Sequence, residues 1–253
     1  MPLSGSLIER LCERLSRHVG EPMDIEHSEP VGGGSICAAY RLHTPAGRWF
    51  VKVLDAEKHP DLFAGEADGL QRLARAGALR VPQVVGHGED HDEAYLLLEH
   101  IDTGPRRTAF WEALGRGLAV LHGHRAPRFG LERDNHIGRL PQVTTREGDW
   151  PGSLVGHRLE PLVGQGRDRR RLAPATVQRF DRLYPRLEGL FPAEPPALLH
   201  GDLWSGNVLC AADGAPVLID PAVYYGHREM DLAMARLFGG LAAYAGGASV
   251  TRG

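Results

Sequence analysis

Cysteine is scarce in this chain. Three occur in 253 residues, Cys12, Cys37 and Cys210, far apart and odd in number. That excludes a disulfide framework and any paired zinc spacing, and it points to a reducing, cytoplasmic setting. Long apolar runs are missing as well: none approaches the roughly 18 residues a membrane-spanning helix needs, and no signal-peptide pattern is present. An excess of one charge is also absent, with 29 Lys and Arg against 32 Asp and Glu. A net charge of −3 provides no global field toward nucleic acid or an anionic membrane, and neither is expected as a partner. The densest basic run, "RDRRR" at 167–171, reads as a solvated face. Thirteen histidines are present, but no HExxH or other tight ligand cluster. His87, His91, His122, His124 and His157 read as surface or loop residues. No repeat at solenoid periods is found.

What remains is an ordinary globular composition, 42% hydrophobic and 24% charged. The length suits one large domain or two modest lobes. "VGGGSICAAYRL", the turn signal "TPAG" and "RWFVKVL" predict a hairpin preceded by a Gly-rich loop. A helix is expected over about Asp61–Ala76, closed by Gly77, then strands in "VPQVVGHG" and "AYLLLEHI". That makes a small sheet with one helix. After a linker near 101–106, helices are expected along the Phe110, Leu114, Leu118, Leu121 stripe, over about Ala175–Leu190, and from Glu229 to Phe238. Loops are expected at Asp134–Gly138 and Gly148–Gly152. The fold expected is α+β and bilobal: residues 1–101 as a nucleotide-binding lobe, an antiparallel sheet with one helix, and residues 102–253 as a mostly helical catalytic and acceptor-binding lobe.

The polar residues inside apolar stretches carry the chemistry. Glu66 lies three after Phe63 and four before Leu70, on the apolar stripe of its helix. Lys52 is flanked by Val51 and Val53 in a strand. An unpaired charge in either place is unfavourable, so the two pair with each other or each snorkels to solvent. Gly32, Gly33 and Gly34 let backbone N–H groups approach a phosphate closely, and Ser35 adds a hydroxyl; the same run also suits a flexible hairpin tip. In "LLHGDLWSGNVL", Asp202 and Asn207 have D-x-x-x-x-N spacing, and Asp220 ends the apolar "VLID". Two carboxylates and a carboxamide are good ligands for a hard cation such as Mg²⁺. Gly-rich loop, strand Lys, helix Glu, H-x-D-x-x-x-x-N and a later Asp occur in protein-kinase order, which implies ATP and Mg²⁺ as cofactors. Lys52, oriented by Glu66, would hold the phosphates, Asn207 and Asp220 the metal, and Asp202 the proton of the attacking hydroxyl. Backbone near Glu99 and Ile101 would bind adenine, with Leu98 lining that pocket or simply belonging to the core.

"HGDLWSGNV", "DPAVYYGHREMDLAM" and "GGGSICAAYRL…FVKV" resemble the fructosamine kinase (ketosamine-3-kinase) family from about Gly32 to Gly240, with "LLLEHI", "LGRGLAVLH", "FGLERDNHIG" and "LPQ…DW" in support. The resemblance implies a protein-kinase-like fold and ATP-dependent phosphorylation of the O3 hydroxyl of ketosamines. Those substrates are fructosamine or ribulosamine adducts on small amines or on the lysines of glycated proteins. The phosphorylated adduct then decomposes and frees the amine. Asp231 is implied as a structural acid near the catalytic loop. Trp204 is expected to pack against the acceptor sugar or simply to plug the lobe, with Asp134, Asn135 and His136 as polar acceptor contacts or an ordinary polar turn. Aminoglycoside and choline kinases share the HGDxxxxN skeleton, but typically carry His-Pro where Trp204-Ser205 stands here. They form the first alternative; a C-terminally truncated, non-catalytic ATP-binding module is the second, since the chain stops soon after "MARLFGG". Cys37 stands two positions beyond Ser35, where the family often has Cys, so a redox role and a plain reduced thiol both remain open.

Overall fold

Leu7, Leu11 and Leu15 repeat at helical spacing near the start of the chain, and all three are fully buried. The computed structural model describes residues 3–32, 37–90 and 92–237. The leucines lie on helix α1 (Gly5–Val19), whose first turn is capped by the Ser4 hydroxyl accepting from the Leu7 N–H. Neither α1 nor strand β1 (His27–Pro30) was expected from the sequence, which reads as one helix in this region. Strands β2 (Ala38–Thr44) and β3 (Gly47–Asp55) form the expected hairpin, and α2 (Leu62–Ala76) ends at the left-handed Gly77. β4 (Val84–Glu89) and β5 (Glu93–Glu99) complete an antiparallel sheet ordered β1-β2-β3-β5-β4.

Side chains alternate across a strand, so Val51 and Val53 point to one face of β3 and Lys52 to the other. The valines join Leu7, Leu11, Leu15, Tyr40, Leu42, Tyr95 and Leu97 in one apolar cluster. Lys52 is thereby directed away from α1.

The remaining elements are α3 (Thr108–Leu121), β6 (Asn135–Ile137), β7 (Leu140–Gln142), α4 (Trp150–Leu154), α5 (Glu160–Asp168), α6 (Pro174–Leu183), α7 (Leu187–Leu190), β8 (Ala197–Leu199), β9 (Val208–Cys210), β10 (Pro216–Leu218), β11 (Tyr224–Gly226) and α8 (Glu229–Leu237). A wide π-helical turn at Val155–Leu159 joins α4 to α5. Three local expectations are corrected. The loop expected at Gly148–Gly152 is helical from Trp150, where Asp149 caps α4 by accepting from the Gly152 N–H. The polar stretch from Asp134 to Gly138 is not a plain loop but carries β6, which pairs with β7. The helix expected over 175–190 is interrupted at Tyr184–Arg186, where Pro185 has no N–H to donate.

Two compact units result. Among the described residues, one comprises 3–117 and 206–221; the other comprises 118–205 and 222–237. The first unit thus takes back the hairpin β9–β10. Ile101 packs there with Ala211 and Val217, and the Gly104 N–H donates to the Cys210 carbonyl at 2.8 Å. The core of the second unit is aromatic: Phe129, Trp150 and Tyr224 pack with Leu154, Leu187 and Leu199, and Trp150 lies parallel to Tyr224.

Candidate active site

In the first unit, Lys52 on β3 donates to Glu66 Oε1 at 2.7 Å and to Asp220 Oδ1 at 2.6 Å. The Lys52 and Glu66 side chains are only 8% and 10% exposed, whereas Asp220 is 43% exposed. Pairing, not separate snorkelling, therefore resolves the two misplaced charges. Burial opposes the ammonium, but the carboxylates of Glu66 and Asp220 outweigh it and hold the Lys52 pKa above the ordinary lysine value. Lys52 is a fixed cation at any physiological pH.

Asn207 and Asp220 stand at the two ends of one hairpin. Asn207 immediately precedes β9, and Asp220 follows β10 by two residues. The Ile219 N–H donates to the Asn207 carbonyl at 3.0 Å, and Asn207 Nδ2 approaches the Asp220 carbonyl at 3.4 Å. Asp220 itself has φ +54°, a left-handed backbone that is unfavourable for a non-glycine residue. A partly exposed carboxylate beside a carboxamide is the oxygen-donor set that Mg²⁺ accepts, the remaining ligands being phosphate and water. Among the described residues no group of three or more His, Cys, Asp or Glu could itself hold a metal.

Leu98 is buried in β5, and the Glu99 N–H is committed to the Gln83 carbonyl at 2.9 Å. Gly32 is exposed just ahead of the hairpin; Gly33, Gly34 and Ser35 lie outside the described residues. Cys37 is half-buried and unpaired. Burial, against the pull of Lys52, pushes its thiol above the ordinary cysteine value, which opposes thiolate formation.

In the second unit, a buried carboxylate organises the loop that carries Asp202. Asp231 on α8 is 1% exposed. Its Oδ2 accepts from the His200 N–H at 2.9 Å and pairs with His122 Nε2 at 3.0 Å, and its Oδ1 accepts from the Gly201 N–H at 2.9 Å. Burial works against this anion, yet the His122 hydrogen bond, the His122 and His200 charges and the Gly201 N–H bring its pKa below the usual carboxylate range. His122 is thus not a surface residue, as its sequence context suggests, but a buried partner of Asp231; its place at the end of the α3 apolar stripe was the available signal. Gly201 has φ +85°, and a Cβ there would lie 1.9 Å from the Ala222 carbonyl. Gly201→Ala is expected to destabilise the protein by about 3 kcal/mol or more, from backbone strain plus a backbone clash. An unchanged thermal midpoint for that variant would contradict this packing.

Beyond Asp202, whose N–H donates to His200 Nδ1 at 3.3 Å, Trp204 remains 36% exposed. Asp134 Oδ1 accepts from the Thr144 N–H at 2.8 Å, the Asn135 carboxamide is buried, and His136 is half-buried on β6. Gln142 and Thr144, both buried and hydrogen-bonded, were not singled out from the sequence.

A buried strand lysine on a helix glutamate, with a metal-type Asp and Asn at the ends of one hairpin, defines a kinase-like phosphotransferase. A solved aminoglycoside phosphotransferase has the same fold, with a TM-score of 0.60 over 88% of this chain and 75% of that one; at 13% identity the likeness is one of fold alone. The family is narrower. The fructosamine kinase family model matches residues 7–249. A protein of Synechocystis sp. named as a ketoamine kinase is 35% identical over 236 residues, 93% of this chain and 79% of the relative. A crystal structure from Thermobifida fusca, described as that of a fructosamine-3-kinase, is 35% identical with a TM-score of 0.81 over 96% of this chain and 85% of that one. The chain belongs to the fructosamine kinase family.

Proposed function

We propose that this protein transfers the γ-phosphoryl group of ATP to the O3 hydroxyl of a ketosamine, a fructosamine or ribulosamine carried by a small amine or a glycated protein. The observation that carries the reading is the Lys52–Glu66–Asp220 ion cluster, with Asn207 at the other end of the Asp220 hairpin, in a chain of this family. We read residues 1–101 as the nucleotide-binding lobe and 102–253 as the catalytic and acceptor lobe.

Lys52 neutralises charge on the α- and β-phosphates, and Glu66 keeps its ammonium oriented. Gly32, Gly33, Gly34 and Ser35 cover the phosphates, the Glu99 carbonyl and Ile101 N–H meet the adenine edge, and Leu98 backs the ring. Asp220 and Asn207 would hold Mg²⁺, which supplies charge neutralisation on the phosphate oxygens. Asp202 takes the proton of the O3 hydroxyl as the O3–P bond forms and the bond from the γ-phosphorus to the ADP oxygen breaks. The Trp204 indole packs on the apolar face of the sugar, and Asp134 and His136 form a polar acceptor wall, the buried Asn135 carboxamide being turned to Gln142 and Val223 instead. No helix among the described residues is long and apolar enough to cross a membrane, and the three free cysteines favour the cytoplasm as the setting.

ADP release with Mg-ATP and fructoselysine, ribuloselysine, an aminoglycoside or choline tests the reading. Turnover with a ketosamine is expected. Turnover with an aminoglycoside or choline alone would overturn it, as would ATP binding by a folded protein without turnover of any acceptor.

A further inference from the structure

Asn135 and Gln142 face each other across the β6–β7 ribbon, and both are buried, at 7% and 5% exposed. Gln142 Nε2 donates to Asn135 Oδ1 at 2.8 Å and to the Ala222 carbonyl at 3.3 Å. Asn135 Nδ2 donates to the Val223 carbonyl at 2.8 Å. Two coupled side-chain amides therefore grip two consecutive peptide carbonyls. The same segment is held from the catalytic loop, where the Ala222 N–H donates to the His200 carbonyl at 2.9 Å. Asp220 lies two residues upstream of Ala222, in its left-handed conformation. Upstream again, Ile219 is tied to Asn207. An unfavourable backbone conformation persists only where its flanks over-determine it, and these bonds are the flanks.

We propose that Asn135 and Gln142 are positioning residues for the metal-binding carboxylate: by fixing the peptides of Ala222 and Val223 they hold Asp220 in its conformation and set the cation affinity of the nucleotide complex. The inference rests on the reading of Asp220 and Asn207 as metal ligands. It differs from a direct acceptor contact by Asn135, and from a buried pair that contributes only to folding.

The test uses the full chain with Asn135→Ala, Gln142→Ala and the double variant. The readouts are Mn²⁺ binding to the protein–ADP complex, followed by the electron paramagnetic resonance of free Mn²⁺, metal-free ADP binding by calorimetry, and the thermal midpoint. Each single variant is expected to weaken Mn²⁺ binding by roughly tenfold to a hundredfold, the range for residues that orient metal ligands. The double variant should be little worse than either single one, because the two amides act through a shared bond. Metal-free ADP affinity should be unchanged. Should the alanine variants fail to fold, Asn135→Asp keeps the shape and the bond from Gln142 but removes the donor to Val223, and it should weaken Mn²⁺ binding too. Unchanged Mn²⁺ affinity with a lowered thermal midpoint, or with a raised ketosamine KM, overturns the proposal. If the wild-type chain turns over no ketosamine while the Mn²⁺ effect holds, the acceptor assignment falls and the positioning role stands. Absence of Mn²⁺–ADP binding by the wild type overturns both.

Discussion

Asp202→Asn is expected to lower kcat for ketosamine phosphorylation by about 10²- to 10⁴-fold, the usual contribution of a positioned general base. ATP affinity should stay close to that of the wild type. Phosphate neutralisation is assigned to Lys52, which is held by Glu66 and Asp220. The asparagine preserves volume but cannot accept the O3 proton. The loop should keep its shape, because Asp231 anchors it through the backbone of His200 and Gly201. Single-turnover transfer and calorimetric titration with a non-hydrolysable ATP analogue separate chemistry from binding. Transfer at the wild-type rate would remove Asp202 from the proton-accepting role.

The largest stability effect is expected at Asp231. Asp231→Ala leaves the His122 imidazole and two backbone N–H groups without their acceptor in a buried place. Breaking a buried pair in this way costs about 3–5 kcal/mol. That is a large share of the roughly 5–15 kcal/mol that typically keeps a domain folded. Urea unfolding measures the loss directly. The milder Asp231→Asn variant adds a pH signature. The folded-state pKa of Asp231 lies below its unfolded value, so its contribution is complete above about pH 4, where an unfolded aspartate titrates, and is lost as pH falls through the folded-state pKa. The stability gap between the wild type and Asp231→Asn should therefore be constant near neutrality and narrow in acid. A gap that widens in acid would mean that Asp231 is not held as a buried anion.

The parts of the site that were legible in the sequence are those whose chemistry conflicts with their local pattern. Lys52 between two valines, and Glu66 on an apolar helical stripe, each read as a charge in need of a partner, and the structure pairs them. Asp202, Asn207 and Asp220 were legible through spacing and apolar flanks. Residues that agree with their local pattern were passed over. His122 closes an apolar stripe and reads as a surface or loop residue, and Gln142, within the quoted "LPQ", has no role of its own in the sequence reading. Helix α1 was missed although Leu7, Leu11 and Leu15 keep a four-residue period. The apolar pattern predicts one helix over about 175–190, whereas α6 ends at Leu183 and the turn at Pro185 interrupts it.

The sequence by itself determined the inventory of candidate catalytic groups, their order and most of the elements that carry them, because strand alternation, helical period and turn chemistry act over a few residues. The tertiary structure decided which groups meet. Asp220 joins Lys52 across a separation of 168 residues, Asp231 meets His122 across 109, and Asn135 grips Val223 across 88. No local rule reaches so far along a chain. Only closure of the core and the need to satisfy every buried charge and amide select those pairs.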